Sequence, residues 1–220
     1  MGGINAVYKK GREPESLIKY RKKKFAYYDG YDRKDDIRKN LLIEQGFLCA
    51  YCMRRIDIKN MKIEHWYPED RLSDIERLKY TNMLGVCRGH IEGTKGEDDT
   101  CDTHKGNALI TVNPLDMATL AKVQYRTSTG EIYSEDEQIQ RDLNDTLNLN
   151  SHKHLLSINR KAVLNAAIEE MRKMQKNGIW GRKIIEAIKA QYKRADLMGM
   201  KKEYARIVLW YLDRKGKHIT

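Results

Sequence analysis

Proline and phenylalanine are scarce in this sequence: three prolines (Pro14, Pro68, Pro114) and two phenylalanines stand in 220 residues. With no internal repeat and no low-complexity tract either, nothing reads as a disordered linker. Long apolar runs are missing too. The run at Ile207–Trp210 is far short of the roughly 20 apolar residues that cross a bilayer, which excludes a transmembrane helix. Lys9, Lys10 and Arg12 have no apolar segment behind them, so residues 1–30 do not read as a secretory signal, and the expected location is the cytoplasm. Acidic residues are the minority charge, 31 against 42 basic ones, for a net charge of +11.

The position of that charge says more than its sum. Residues 1–48 carry +5, residues 49–170 carry −4 and residues 171–220 carry +10. A slightly acidic centre between basic flanks suits flanks that grip a polyanion around a centre that holds divalent metal. Solvated helix faces would give the same totals. The hydrophobic pattern divides the chain likewise. A helix is expected over Asp35–Glu44, from Ile37, Leu41 and Leu42, ending near Gly46. A second helical stretch, Leu17–Tyr28, contains the run Lys22-Lys23-Lys24. Val123–Arg126 and Glu131–Tyr133 read as a hairpin across Gly130. Ser134, with Glu137 three residues later, is the expected cap of a short helix. Ser151–Gln175, Arg182–Lys193 and Lys201–Asp213 read as amphipathic helices packed around that hairpin, the first with Leu155, Ile158, Leu164, Ile168 and Met171 on its apolar face. The fold class is α+β and mainly helical. Three regions are expected to pack as one unit: a basic helical segment (1–48), a site-building core (49–110), and a hairpin with basic helices (111–220).

Four cysteines occur, Cys49, Cys52, Cys87 and Cys101, the first two as C-A-Y-C. In a reducing compartment this spacing favours metal over a disulfide, and a CxxC turn brings two sulfurs to one ion at about 2.3 Å. Cys87 and Cys101 complete a tetrahedral zinc site most economically and staple Arg88–Thr100 as a loop. His90 and His104 stand at competing ligand positions. A cysteine redox motif is the contrary reading, and it lacks the βαβ pattern around Cys49.

Between the half-sites lie Ile63-Glu64-His65-Trp66-Tyr67-Pro68 and Thr81-Asn82-Met83-Leu84-Gly85-Val86-Cys87, followed by Cys101-Asp102-Thr103-His104-Lys105-Gly106-Asn107. A CxxC, an acid-His pair, an Asn-hydrophobic-Leu stretch into Cys, and a last Cys followed by a polar ligand and Lys-Gly resemble the zinc-bearing HNH (ββα-metal) endonucleases over Leu48–Asn107. With T-G-E-I-Y at the hairpin and Leu147-Asn148-Leu149-Asn150 beyond it, most of the chain is similar to the PtuB-type HNH nuclease subunits of Septu antiphage defence. This resemblance implies a zinc-stapled ββα-metal core, nucleic-acid cleavage against phage, and a partner ATPase of the ABC/SMC-like (PtuA-like) kind, sometimes with a retron RNA or DNA.

Phosphodiester hydrolysis needs an activated water and a cation on the phosphate, such as Mg²⁺ or Mn²⁺. His65, neutral near pH 7, is the natural general base, and the resemblance gives the His of the acid-His pair that role. Asn82 fits the central Asn; its side chain either orients His65 or holds the loop. Glu64 and Asp102 are the expected oxygen ligands, with His104 as a further candidate. The commonest HNH form has His directly after the last Cys, where this chain has Asp102, so the third position stays open between Asp102 and His104. Lys105 and the Lys22, Lys23, Lys24 run are the expected phosphate contacts. Trp66 and Tyr67 either pack in the core or stack on a base. DNA is the favoured substrate, with tRNA or other RNA the alternative, because this chemistry needs no 2′-hydroxyl. A zinc-stapled binding or adaptor module without catalysis is the competing function.

Overall fold

Pro14, whose ring fixes φ, stands directly before the first helix, α1 (Glu15–Arg21), in a computed structural model that describes residues 9–175 and 180–217. Helix α2 (Lys34–Gln45) buries Ile37, Leu41 and Leu42 and stops where Gly46 turns left-handed at φ 63°. The expected helix over Asp35–Glu44 is therefore present. Its last residue, Gln45, is buried and ties three segments together. The side-chain amide donates to the Leu48 and Gly85 carbonyls, both at 2.7 Å, and its oxygen accepts from Gly85 N–H at 2.7 Å.

Strands β1 (Met61–His65) and β2 (Met83–Cys87) pair antiparallel, from Met61 opposite Cys87 to His65 opposite Met83. Between them lies the short helix α3 (Asp74–Arg77), capped by a reciprocal Ser73–Glu76 box. Helix α4 (Cys101–Lys105) follows the loop at 88–100 and packs on β2. That loop is closed at its base by Thr100 N–H on the Gly89 carbonyl at 2.7 Å. Gly89 has φ 67°, and a Cβ there would come within 2.0 Å of the Thr100 carbonyl oxygen, so only glycine fits.

Helix α5 (Met117–Ala121) leads into the hairpin of β3 (Gln124–Tyr125) and β4 (Ile132–Tyr133), at the expected place but only two residues per strand. Helix α6 (Glu137–Arg141) comes next. Its cap differs from expectation: Asp136, not Ser134, accepts from the Gln138 and Ile139 N–H groups. Ser134 instead donates to the Lys122 carbonyl at 2.9 Å, bracing the hairpin. The helix starts three residues after Ser134, whose hydroxyl reaches only the Asp136 N–H, at 3.2 Å, and none of the N–H groups of the first turn.

Helix α7 (Leu156–Met174) buries Leu156, Leu164, Ala167 and Met171. Leu155 and Ile158, expected on that face, are exposed. Leu155 is in the left-handed region at φ 53° and lies outside the helix, so the buried stripe begins at Leu156 and Ile158 falls on the far side. Helices α8 (Arg182–Lys193) and α9 (Ala205–Gly216) pack on each other and on α7. Fully buried Ile207, Val208 and Leu212 of α9 each contribute about 1.5–3 kcal/mol of burial. The hairpin lies against these helices, as expected. Tyr125 meets Trp210 edge-on at 5.7 Å, and Arg160 of α7 donates to the Gly130 carbonyl at 2.7 Å. The arrangement is α+β and mainly helical, with two two-stranded antiparallel sheets among the described residues. One contiguous core runs from Leu17 to Leu212. No helix among the described residues is long and apolar enough to cross a membrane.

Candidate metal centre and adjoining cleft

The cysteines come together from three places. Cys49 and Cys52 sit in a knuckle closed by the Leu48–Arg55 bridge, with Cys49 N–H on the Arg54 carbonyl at 2.9 Å. Cys87 ends β2 and Cys101 opens α4. All four are buried, and their sulfurs lie within 4.8 Å of one another. Sulfurs placed about 2.3 Å from a central zinc form a tetrahedron with edges of about 3.8 Å. The Cys49–Cys101 and Cys52–Cys87 separations are 3.8 and 3.7 Å. The donor set and its dimensions therefore fit zinc. Burial opposes charge on these thiols, yet the three surrounding sulfurs hydrogen-bond to Cys49 and hold it well below the usual thiol range. Cys101 is pushed well up by burial and by the same neighbours. A cluster that must share its protons in this way becomes a set of four thiolates only around a cation.

Neither histidine competes for this position. His90 Nδ1 is 2.6 Å from Asp99 Oδ1, and His104 Nδ1 is 3.0 Å from the Thr146 carbonyl. Arg54 stands beside the cluster, where the Cys52 and Cys87 sulfurs raise its pKa against the effect of burial. It donates to the His154 carbonyl at 3.1 Å and lies 3.2 Å from His154 Nδ1.

Next to the cysteines, β1 and α4 enclose a cleft of about 340 Å³ whose walls include Lys62, Glu64, His65, Glu69, Asp102 and Lys105. Glu64 and Asp102 meet there through a hydrogen bond, which two carboxyl groups form only by sharing a proton. Burial first, then Asp102, push the Glu64 pKa up to about 8. Burial also works against charge on Asp102, but the hydrogen bond from Glu64 and the Lys62 ammonium outweigh it and hold its pKa down. Lys62 is ion-paired with Asp102. Lys105 Nζ is 2.8 Å from Glu64 Oε1, and Tyr51 donates to the same oxygen at 2.9 Å. Two carboxyl groups that converge in one cleft offer, once deprotonated, oxygen ligands for a hard cation that keeps most of its own water.

His65 ends β1 with its ring buried, edge-on to Tyr28 at 4.8 Å between centroids. Its Nε2 lies 2.7 Å from the Arg77 carbonyl. A carbonyl can only accept, so Nε2 carries the proton and Nδ1 keeps its lone pair, with Glu69 Oε2 at 3.6 Å. Burial lowers the His65 pKa and leaves the ring neutral at pH 7.

Of the two roles open to Asn82, the geometry fits the loop anchor. Its Oδ1 accepts from Tyr67 N–H at 2.8 Å, and its Nδ2 donates to the Tyr67 carbonyl at 3.0 Å. That fixes the segment directly after His65. Trp66 is half-buried, with its indole N–H on the Val112 carbonyl at 2.9 Å, whereas Tyr67 lies at the surface. The structure thus brings Glu64, His65, Asp102 and Lys105 into one cleft. Asn82 and His104 do not line it. Lys105 is buried in the wall, while Lys22, Lys23 and Lys24 follow α1 on the surface.

Sequence reasoning missed Lys62, Glu69 and Tyr51. Strand alternation places Lys62 on the same face as Glu64, and Glu69 stands four residues after His65, so both carried a signal. Tyr51 lies inside the CxxC, where only the folded knuckle aims it at Glu64. Compared with known proteins, the chain matches no family model and none of the curated sequences.

Proposed function

We propose that the chain is a metal-dependent endonuclease of the HNH type, its β1–β2 pair and α4 forming a ββα-metal core. On this reading it hydrolyses phosphodiester bonds in nucleic acid, DNA in preference to tRNA or other RNA, as the effector of antiphage defence with an ABC/SMC-like ATPase partner. The observation that carries the reading is one cleft in which Glu64 and Asp102 converge beside a neutral His65 whose Nε2 proton is fixed on the Arg77 carbonyl. His65 Nδ1 then accepts the proton of the attacking water. Glu64 and Asp102 would hold Mg²⁺ or Mn²⁺, which supplies charge stabilisation on the phosphate and the leaving oxygen. Lys62 and Lys105 bring positive charge to the same cleft. Asn82 keeps the strand end in register through Tyr67.

One observation favours the competing adaptor reading: Lys105 already occupies Glu64 Oε1 at 2.8 Å inside the wall. The two separate on labelled DNA and tRNA, with the ATPase partner present, in Mg²⁺, in Mn²⁺ and in chelator. His65→Ala is expected to lower the cleavage rate by about 10²–10⁴ with zinc content unchanged. If the wild type cleaves neither polymer, or the variant cleaves equally well, the nuclease reading fails and the adaptor stands.

A further inference from the structure

The chain has two phenylalanines, and Phe25 is held out in water, 83% exposed, with φ 61°. A bulky residue adopts that left-handed conformation only where its surroundings impose it. The surroundings are basic and aromatic. Lys22, Lys23 and Lys24 precede it, all exposed, and Lys24 Nζ sits 5.0 Å from the Phe25 ring centroid. Tyr27, half-exposed, follows, and its carbonyl accepts from Tyr20 Oη at 3.1 Å. Gly30 lies under this pair, where a Cβ would come within 2.7 Å of both Tyr20 Oη and the Tyr27 ring, so the turn is closely packed beneath its exposed rings. The next residue, Tyr28, touches the His65 ring.

We infer that the turn from Lys22 to Tyr27 is a stacking platform for unpaired bases, and that the preferred substrate presents a single strand beside the cleft; this rests on the nuclease reading above. A ring free on one face stacks on any base whose own face is open, and the adjoining ammonium groups take the phosphates. Paired bases inside a duplex offer no such face. Three peptide steps lead from Phe25 to Tyr28, so their Cα atoms are at most about 11 Å apart, and Tyr28 links the turn to His65.

The test measures binding of the full-length protein, without added Mg²⁺ or Mn²⁺, to a labelled single strand of about 20 nucleotides, long enough for a typical single-strand site. The matching duplex and a strand lacking bases serve as comparisons. Phe25→Ala is expected to weaken single-strand binding by about 5- to 150-fold, the usual loss of one base–aromatic stack, and to change duplex and abasic binding by less than about twofold. Phe25→Trp is expected to keep the single-strand affinity, and the introduced indole to be quenched by the strand. Phe25→Ala binding the single strand like the wild type, or losing all three probes equally, would overturn the platform. If the wild type cleaves nucleic acid while Phe25→Ala has no effect, the platform falls and the nuclease reading stands. A wild type that neither binds nor cleaves any nucleic acid sinks both.

Discussion

Removing metal from the four-cysteine cluster should unfold the protein, and the size of the effect follows from the site. The cluster joins the knuckle at Cys49 and Cys52, the end of β2 and the start of α4, and each sulfur is buried. Structural zinc in thiolate sites contributes about 10–16 kcal/mol at neutral pH, against a typical total stability of about 5–15 kcal/mol. The loss therefore equals or exceeds the whole. With about 2–4 °C per kcal/mol for a chain of this size, a chelator that strips the metal should lower the melting temperature by more than 20 °C or abolish the cooperative transition. Cys101→Ser should do the same without chelator, because a hydroxyl does not replace a buried thiolate. Elemental analysis should find one zinc per chain, and cobalt substituted for it should show the absorption of a tetrahedral tetrathiolate, with no imidazole contribution from His90 or His104. Protein with well under half a zinc per chain, or a melting temperature that chelation moves by less than about 5 °C, would refute the reasoning.

Three further predictions concern single side chains. Because burial lowers the His65 pKa, cleavage should fall with acid only below the ordinary histidine value of 6.5; an acid limb centred above it in the pH–rate profile counts against His65 as base. Lys10 lies over the Tyr80 ring at 3.8 Å and is 3.8 Å from Glu44, and burial depresses its pKa from 10.5 to about 8. The unfolded chain thus binds more protons between those values, so this group's cost is fully present below pH 8 and disappears as pH rises towards 10.5. Lys10→Met should therefore stabilise the protein at pH 7 by about 1–3 kcal/mol, with the advantage closing in denaturant titrations at alkaline pH. A Lys10→Met variant less stable than wild type at pH 7 would contradict the burial argument. Asn82→Ala should cost about 1–2 kcal/mol for two lost hydrogen bonds and slow cleavage, while the acid limb set by His65 stays in place.

What the sequence made legible was whatever has a local or a scarce signal. Cysteines are few, so pairing a CxxC with the two that remained left little choice, and their burial in one cluster agrees. Helix α2 carried its period and its Gly46 stop in adjacent residues. The failures were also local in origin. With Leu155 left-handed, α7 starts at Leu156 and not at the expected Ser151, Ile158 lies outside the core, and no propensity marks that position. In the cleft, the charged partners come from far along the chain: Lys105 meets Glu64 and Lys62 meets Asp102, each across about forty residues, so only the fold pairs them. For Asn82 the sequence left two roles open, and the two hydrogen bonds to Tyr67 fit the loop anchor.

The cysteine cluster and the acid pair form one mechanical unit, because both acids stand close to cluster cysteines, Asp102 along the chain and Glu64 through β2 and Tyr51. Cys101 has φ 57°, an unfavourable start for a helix, and its N–H is held by the Leu147 carbonyl at 2.8 Å. Asp102 is the very next residue, so its carboxyl follows wherever the Cys101 sulfur is anchored. On the opposite wall Glu64 pairs across the sheet with Leu84, three residues before Cys87, and Tyr51 reaches Glu64 from between Cys49 and Cys52. A shift of the Cys101 sulfur should thus move Asp102 relative to Glu64. The acidic pair can then keep its raised and lowered proton affinities, which are costly in a buried place, only while the cluster is intact. Loss of metal from the cysteines should therefore disassemble the cleft in the same transition that unfolds α7, α8 and α9, because the metal's contribution matches the whole stability. Hydrogen exchange at Leu84–Cys87 should rise at the same chelator concentrations that expose Leu164 and Val208; Leu164 and Val208 still protected while Leu84–Cys87 exchange would show instead that the sulfurs hold the cleft alone.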